Sequence, residues 1–261
     1  MQISNEKKFK ILVEDYTKNF TGWDFSYIEA TRRIQEFPLS WSYRSLVLNY
    51  LLNATTLLDI GTGGGEFLSS LAPLSKITFA SESYPPNVEV ATKKLNPLRI
   101  DVIKTDESGD LPFQDDFFDL IISRHAYYNP DEVQRILKIN GFFITQQVGN
   151  QNAQELNQWF HSITNDSAQW NAKKAATDLA KSGFALVDSK EIITKTRFYD
   201  IGAILYFLKA IPWQIPSFTI EKYYSKMINL HNLIETHGFY DVTCHRFLLI
   251  AKKEGRNEKP L

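Results

Sequence analysis

The hydrophobic pattern of the chain changes character near residue 54. Before that point apolar residues recur at helical spacing, interrupted by aromatics. An amphipathic opening reaches about Phe20; then come Trp23-Asp24-Phe25-Ser26-Tyr27 and Pro38-Leu39-Ser40-Trp41-Ser42-Tyr43, which lead into Leu46–Leu52. This region reads mostly as helix, with Ser40 or Ser42 capping the last one, because a serine hydroxyl accepts from the unbonded N–H groups of a first turn. Beyond it lie short apolar runs at 56–60, 77–81, 100–104, 118–123 and 141–148, separated by helical periodicity. Apolar runs of such length suit strands covered on both faces, and their alternation with helices predicts an α/β fold with a mostly parallel sheet.

A polar helical stretch, Asn152 to Lys181, precedes a sixth strand near Phe184–Val187, and a seventh strand, Val242–Ala251, closes the sheet. Between these two strands runs a segment too long to be a simple loop. Its first half is crowded with aromatics and carries Pro212 and Pro216. The expected organisation is a helical and aromatic segment over 1–53, serving as lid or packing, and a sheet domain over 54–252. That domain holds a helical cap over 197–236, between strands 6 and 7, and a charged tail over 253–261 is expected to fray.

Composition narrows the function more than the fold. With 261 residues, 43% apolar and 13% aromatic, the chain can bury a full core. The formal charge of −1, with acidic and basic residues interleaved, provides no global field to gather nucleic acid or an anionic membrane. Small or neutral partners are favoured. The first residues, MQISNEKKFKILVEDY, show neither a signal peptide nor a membrane span. A single cysteine, Cys244, forms no internal disulfide and has no cysteine partner for a zinc cluster, so no metal is expected and a reducing cytoplasm fits.

The chemistry is concentrated in Leu57-Leu58-Asp59-Ile60-Gly61-Thr62-Gly63-Gly64-Gly65-Glu66-Phe67, an apolar strand entering a D-x-G-x-G-x-G turn and then a helix. Glycines in such a turn allow a tight reversal, a close approach of backbone to ligand, and packing of helix on strand. The next run ends at Glu82, about 20 residues further on, where a carboxylate can accept from both ribose hydroxyls of a nucleotide.

These residues resemble the type 11 family of class I methyltransferases. The likeness runs through LLDIGTGGGEF, through Glu82-Ser83-Tyr84-Pro85-Pro86-Asn87 to Ala91, and through Leu111-Pro112-Phe113-Gln114-Asp115-Asp116-Phe117-Phe118-Asp119-Leu120-Ile121. It continues into Glu132-Val133, Arg135-Ile136-Leu137-Lys138 and Asn140-Gly141-Phe142-Phe143. The resemblance implies a Rossmann-like seven-stranded sheet and S-adenosylmethionine as cofactor, with S-adenosylhomocysteine as product. By the same resemblance Gly61, Thr62, Gly63 and Gly65 line the cofactor, Asp59 supports the turn or meets the amino group, and Glu82 holds the ribose. Ser83 or Tyr84 borders the adenine. An acidic residue before Leu111-Pro112-Phe113 would meet the adenine amino group, and here Asp106 is the first choice, with Glu107 second and Asp110 a third candidate.

The rival cofactor is a dinucleotide, whose motif is G-x-G-x-x-G. Here Glu66 stands where the third glycine belongs, and an anion near a helix start repels pyrophosphate. Methyl transfer is an in-line displacement that needs alignment and exclusion of water before it needs any strong catalytic group. Where the nucleophile is a weak acid a base helps, and His125, at the carboxyl end of the fourth strand, is the candidate catalytic residue. Histidines at strand ends also commonly bond nearby backbone. Tyr127 and Tyr128 beside it, with Tyr206 and Trp213 of the cap, are the candidate acceptor-binding residues, although each also reads as core. His161, His231, His237 and His245 read as surface or packing. The leading expectation is methylation of a small molecule; the alternatives are an RNA methyltransferase, for which a basic patch is missing, and a non-catalytic S-adenosylmethionine-binding protein.

Overall fold

The computed structural model describes residues 4–106, 108–162 and 169–255. The elements are α1 (Asn5–Val13), α2 (Ser26–Glu29), β1 (Ile34–Glu36), α3 (Tyr43–Leu51), β2 (Thr56–Ile60), α4 (Glu66–Ser70), β3 (Ile77–Glu82), α5 (Pro85–Leu95), β4 (Asp101–Lys104) and β5 (Phe118–Arg124). They continue with α6 (Pro130–Ile136), β6 (Leu137–Val148), α7 (Gln154–Phe160), α8 (Ala172–Lys181), β7 (Phe184–Phe198), α9 (Ile201–Ala210), α10 (Ile220–His237) and β8 (Tyr240–Lys253). Local chemistry explains the helix starts. Ser42 caps α3, its hydroxyl accepting from Ser45 N–H, and α3 then buries Tyr43, Val47 and Leu51 at four-residue spacing. Pro85 and Pro86 start α5, where their missing N–H groups cost nothing.

Among the described residues the sheet has eight strands in the order β1-β7-β8-β6-β5-β2-β3-β4. Strands β4, β3, β2, β5 and β6 pair in parallel, with Leu58 of β2 opposite Phe79 of β3 and Ile121 of β5. β8 lies antiparallel on β6, and β1 antiparallel on β7. The strand order reverses at β2: the chain lays β3 and β4 on one side of it and β5 on the other. A crevice opens at such a reversal, outside the carboxyl ends of the strands.

The expected count of seven strands is corrected to eight. β1 is only three residues long, has no apolar alternation, and exists through pairing with Thr196–Phe198 at a sheet edge. β7 is fifteen residues long rather than the few near Phe184–Val187, because its exposed and half-buried positions alternate without an apolar run. Lys253, expected to open the frayed tail, instead ends β8 with its ammonium buried on the carbonyls of Gln134 and Leu137; residues 256–261 of that tail lie outside the described residues.

The chain forms two compact units. One comprises residues 40–149, 170–192 and 246–261; the other 1–39, 150–169 and 193–245. In the first, apolar side chains cover both sheet faces. Leu58, Ile121, Phe143 and Phe247 join one cluster, and Leu57, Leu120, Ile144 and Leu248 join another with Val47 of α3 and Leu95 of α5. In the second unit α9 is buried on nearly every side. Asp200 caps it by accepting from Ala203 N–H at 2.8 Å, and the same carboxylate takes a two-pronged bond from Arg33, whose guanidinium also reaches Asp15.

Candidate functional site

The glycine turn leaves β2 with three residues in the left-handed region, Gly61 at φ +68°, Gly63 at +63° and Gly65 at +80°. Glycine takes that conformation without the strain a Cβ would bring. At Gly61 space is equally restrictive, since an added Cβ would stand 2.2 Å from Ala126 Cβ. The turn is tied to β3 through Ser81, whose carbonyl accepts from Gly61 N–H at 2.9 Å and Thr62 N–H at 3.0 Å. Glu82, 7% exposed, closes the site: Oε2 accepts from Gly63 N–H at 2.7 Å and Oε1 from Ser83 and Tyr84 N–H, each at 2.9 Å.

Asp59 lies beneath the turn and accepts from Thr62 Oγ1 at 2.8 Å. Burial pushes its carboxyl up to about 7, against the Thr62 hydroxyl and the Arg124 charge, with Glu82 adding to the rise. Glu66 at the start of α4 is paired with Lys94 at 2.8 Å, so the anion expected to repel a pyrophosphate is partly neutralised. Ser83 and Tyr84 are exposed at the end of β3. Asp106 is exposed and holds a small turn by accepting from Ser108 N–H at 2.9 Å; the Ser108 bonds keep its carboxyl below the usual range. Asp110 is exposed too. Glu107 lies outside the described residues. Tyr127, 70% exposed, has its ring against Gly109, so it borders this acidic loop.

At the carboxyl end of β5, His125 takes a left-handed φ of +60°, a conformation uncommon for a residue with a side chain. Its backbone N–H donates to Gln146 C=O at 2.8 Å, and its ring Nε2 lies 3.1 Å from Gln146 Nε2. Gln147 Nε2 donates to Ala126 C=O at 3.0 Å, so two successive glutamines pin the loop after β5. Trp41 Nε1 donates to Gln146 Oε1 at 2.8 Å, and Tyr43 OH donates to the carbonyls of Ser123 and Ile144. The Arg124 guanidinium stacks 4.8 Å above the Phe67 ring. Burial, then Arg246 and Arg124, hold the His125 imidazole well below its ordinary pKa, so it is neutral and a weak base.

Trp41, Arg124 and Gln146, which the sequence did not single out, meet at the end of β5 and the loop after it. The available signal was a pair of amides, Gln146-Gln147, at the carboxyl end of an apolar strand. Tyr128 is 6% exposed, with its ring edge-on to Phe143 and its hydroxyl buried without a partner. In the other unit Tyr206, 3% exposed, packs on Phe20 and Tyr27, whereas Trp213, 62% exposed, stacks on Trp23. Among the described residues no group of histidine, cysteine and carboxylate side chains could hold a metal, and no helix is long and apolar enough to cross a membrane.

Residues 58–145 match a family model described as a methyltransferase domain. Similar solved structures include a Bacillus halodurans C-125 protein named as a methyltransferase, with TM-score 0.58, 16% identity, and coverage of 81% of this chain and 97% of that one. The [4+2]-cyclase SpnF gives TM-score 0.54 and 15% identity, covering 96% of each chain. An S-adenosylmethionine-dependent methyltransferase of Aquifex aeolicus gives 0.51 and 14%, covering 96% of this chain and 99% of that one. These likenesses show a shared Rossmann-like fold. A comparison with curated protein sequences finds no match.

Proposed function

We propose that this chain, whose residues 58–145 match a family model described as a methyltransferase domain, moves a methyl group from S-adenosylmethionine to a small-molecule acceptor and releases S-adenosylhomocysteine. The observation that carries the reading is the pairing of a bare left-handed glycine turn with the buried Glu82 carboxylate on Gly63 N–H. Oε2 accepts a single N–H and keeps lone-pair capacity for a ribose hydroxyl. When bound, the cofactor supplies an electrophilic methyl group on a sulfonium.

The protein's work is then to hold and to align. Gly61, Thr62, Gly63 and Gly65 line the cofactor; Asp59 sets the turn through Thr62; Ser83 and Asp106 border the adenine. Tyr127 and Tyr128 shape the site from the loop after β5, Tyr128 from beneath. Tyr206 and Trp213, both of the second unit, are the further proposed acceptor-binding residues. The weak basicity of His125 suits a reaction driven by alignment more than by proton abstraction.

The test is incubation of the protein with methyl-labelled S-adenosylmethionine and fractionated cell extract, beside calorimetry with S-adenosylmethionine and NAD. Label in the small-molecule fraction is the expected result. Label confined to RNA would move the reading to RNA methylation, and tight cofactor binding with no transfer would make this a binding protein, as the cyclase sharing the fold warns. Binding of NAD alone would overturn the cofactor.

A further inference from the structure

An indole, an amide and an imidazole stand in line at the carboxyl ends of β5 and β6. Trp41 Nε1 is 2.8 Å from Gln146 Oε1, and Gln146 Nε2 is 3.1 Å from His125 Nε2. An indole nitrogen only donates, so Trp41 fixes which end of the Gln146 amide faces it. The amide NH2 therefore faces the imidazole. Two N–H groups cannot bond each other, so His125 Nε2 accepts and the ring proton sits on Nδ1. The backbone reinforces this register: Gln146 pairs with Arg124 across the ladder, accepts from His125 N–H, and is only 6% exposed.

We infer that Trp41 and Gln146 are positioning residues that hold His125 as the neutral Nδ1–H tautomer, so that this histidine offers the methyl acceptor a hydrogen-bond donor and not a base. No described residue hydrogen-bonds Nδ1. A molecule seated against it must present an acceptor lone pair, as a carboxylate, a carbonyl, a hydroxyl oxygen or an unprotonated nitrogen does. What Nδ1 meets rests on the proposed methyl transfer; the tautomer does not. The charged groups acting on the ring, Arg246 of β8 and Arg124 of β5, join burial in disfavouring the imidazolium.

Nitrogen NMR of histidine-labelled protein reads the tautomer directly. The wild type should show His125 protonated on Nδ1 alone and titrating below a free histidine. Gln146→Glu replaces the amide NH2 with a second acceptor, so the proton should move to Nε2 and the titration should move up. Trp41→Phe frees the amide to turn and should give a mixture of tautomers. A wild-type His125 protonated on Nε2, or titrating like a free histidine, overturns the inference. Label transfer to the small-molecule fraction adds a second readout. His125→Asn and His125→Asp both tolerate positive φ, but only asparagine donates. The asparagine variant should outperform the aspartate variant by about tenfold or more. Equal losses of about a hundredfold or more are the mark of a missing base and would overturn the donor role. If the wild type transfers no label, the methyl-transfer proposal fails while the nitrogen spectra still decide the tautomer.

Discussion

Gly61 and Gly202 are both packed so closely that a Cβ would be driven into a neighbour, to 2.2 Å from Ala126 Cβ at one and 2.3 Å from Asp15 Oδ2 at the other. The reasons differ. At Gly61 the backbone itself is left-handed, so a side chain is strained whatever the space. At Gly202 the backbone is ordinary α-helix, and glycine is required only because α9 lies against Asp15, Arg33 and the carbonyl of Leu12. In the turn, bareness is conformational, as the proposed cofactor site requires. In α9 it is steric and serves the packing of a charged triad. Substitutions in the two regions should therefore fail in different assays.

The largest effect is expected from Gly63→Val in the turn. A β-branched residue at φ +63° is strained by roughly 1–3 kcal/mol and its side chain competes for the ligand's space. Calorimetry should show S-adenosylmethionine affinity lowered by at least about a hundredfold, near 2.7 kcal/mol, with circular dichroism close to wild type. Retained binding would make the turn structural, like α9. In the other region Gly202→Ala should cost roughly 2–3 kcal/mol, since Asp15 and Arg33 must yield. Its melting temperature should drop by roughly 4–12 °C, with little change in cofactor affinity. An equal loss of affinity would remove the distinction.

Glu82→Ala should weaken cofactor binding by about 10–100-fold, as a charge-assisted acceptor is lost and Gly63 N–H is left unpaired. Unchanged affinity in calorimetry would withdraw Glu82 from the ribose. Asp59→Asn tests the floor of the turn. Folding raises the Asp59 carboxyl to about 7, so the native state favours the protonated form. Its contribution is present in full below the unfolded carboxylate range and is lost as pH rises through about 7. Asparagine keeps an acceptor for Thr62 and carries no charge, so the variant should gain on the wild type between about pH 5 and pH 8, by up to about 3 kcal/mol. Parallel melting curves across that range would show that Asp59 stays ionised. The smallest effect on stability belongs to Trp213→Ala, at about 0.5 kcal/mol or less for so exposed a side chain. Methylation of the acceptor should fall while cofactor affinity holds, and undiminished methylation would remove Trp213 from acceptor recognition.

How far each region could be read in the sequence follows from the same contrast. The turn, its strand and Glu82 were legible because their requirement is local: left-handed glycines, an apolar run and an acid at the next strand's end lie within one stretch from Leu57 to Glu82. Gly202 was illegible because its neighbours Asp15 and Arg33 come from far earlier in the chain, and nothing near residue 202 announces them. Trp41, beside a readable helix cap, and Gln146, in a readable strand, were individually visible, yet their meeting at His125 depends on how β5, β6 and the start of α3 converge. β1 escaped for a related reason. Three residues with no alternation become a strand only by pairing with Thr196–Phe198.

The order in which the chain leaves the ribosome gives the strand order a further meaning. β8 is made after the other strands of the sheet but lies between β7 and β6, and α1 belongs to the unit that residues 193–245 complete. At about 5–20 residues per second, α1 waits roughly 10–40 seconds for α9, which packs against it. During that interval Phe9 has no core, and the outer edge of β6 is an unpaired template for other chains. Such a protein should depend on chaperones during synthesis far more than its finished stability would suggest, and slowing translation near its end should lower its soluble yield.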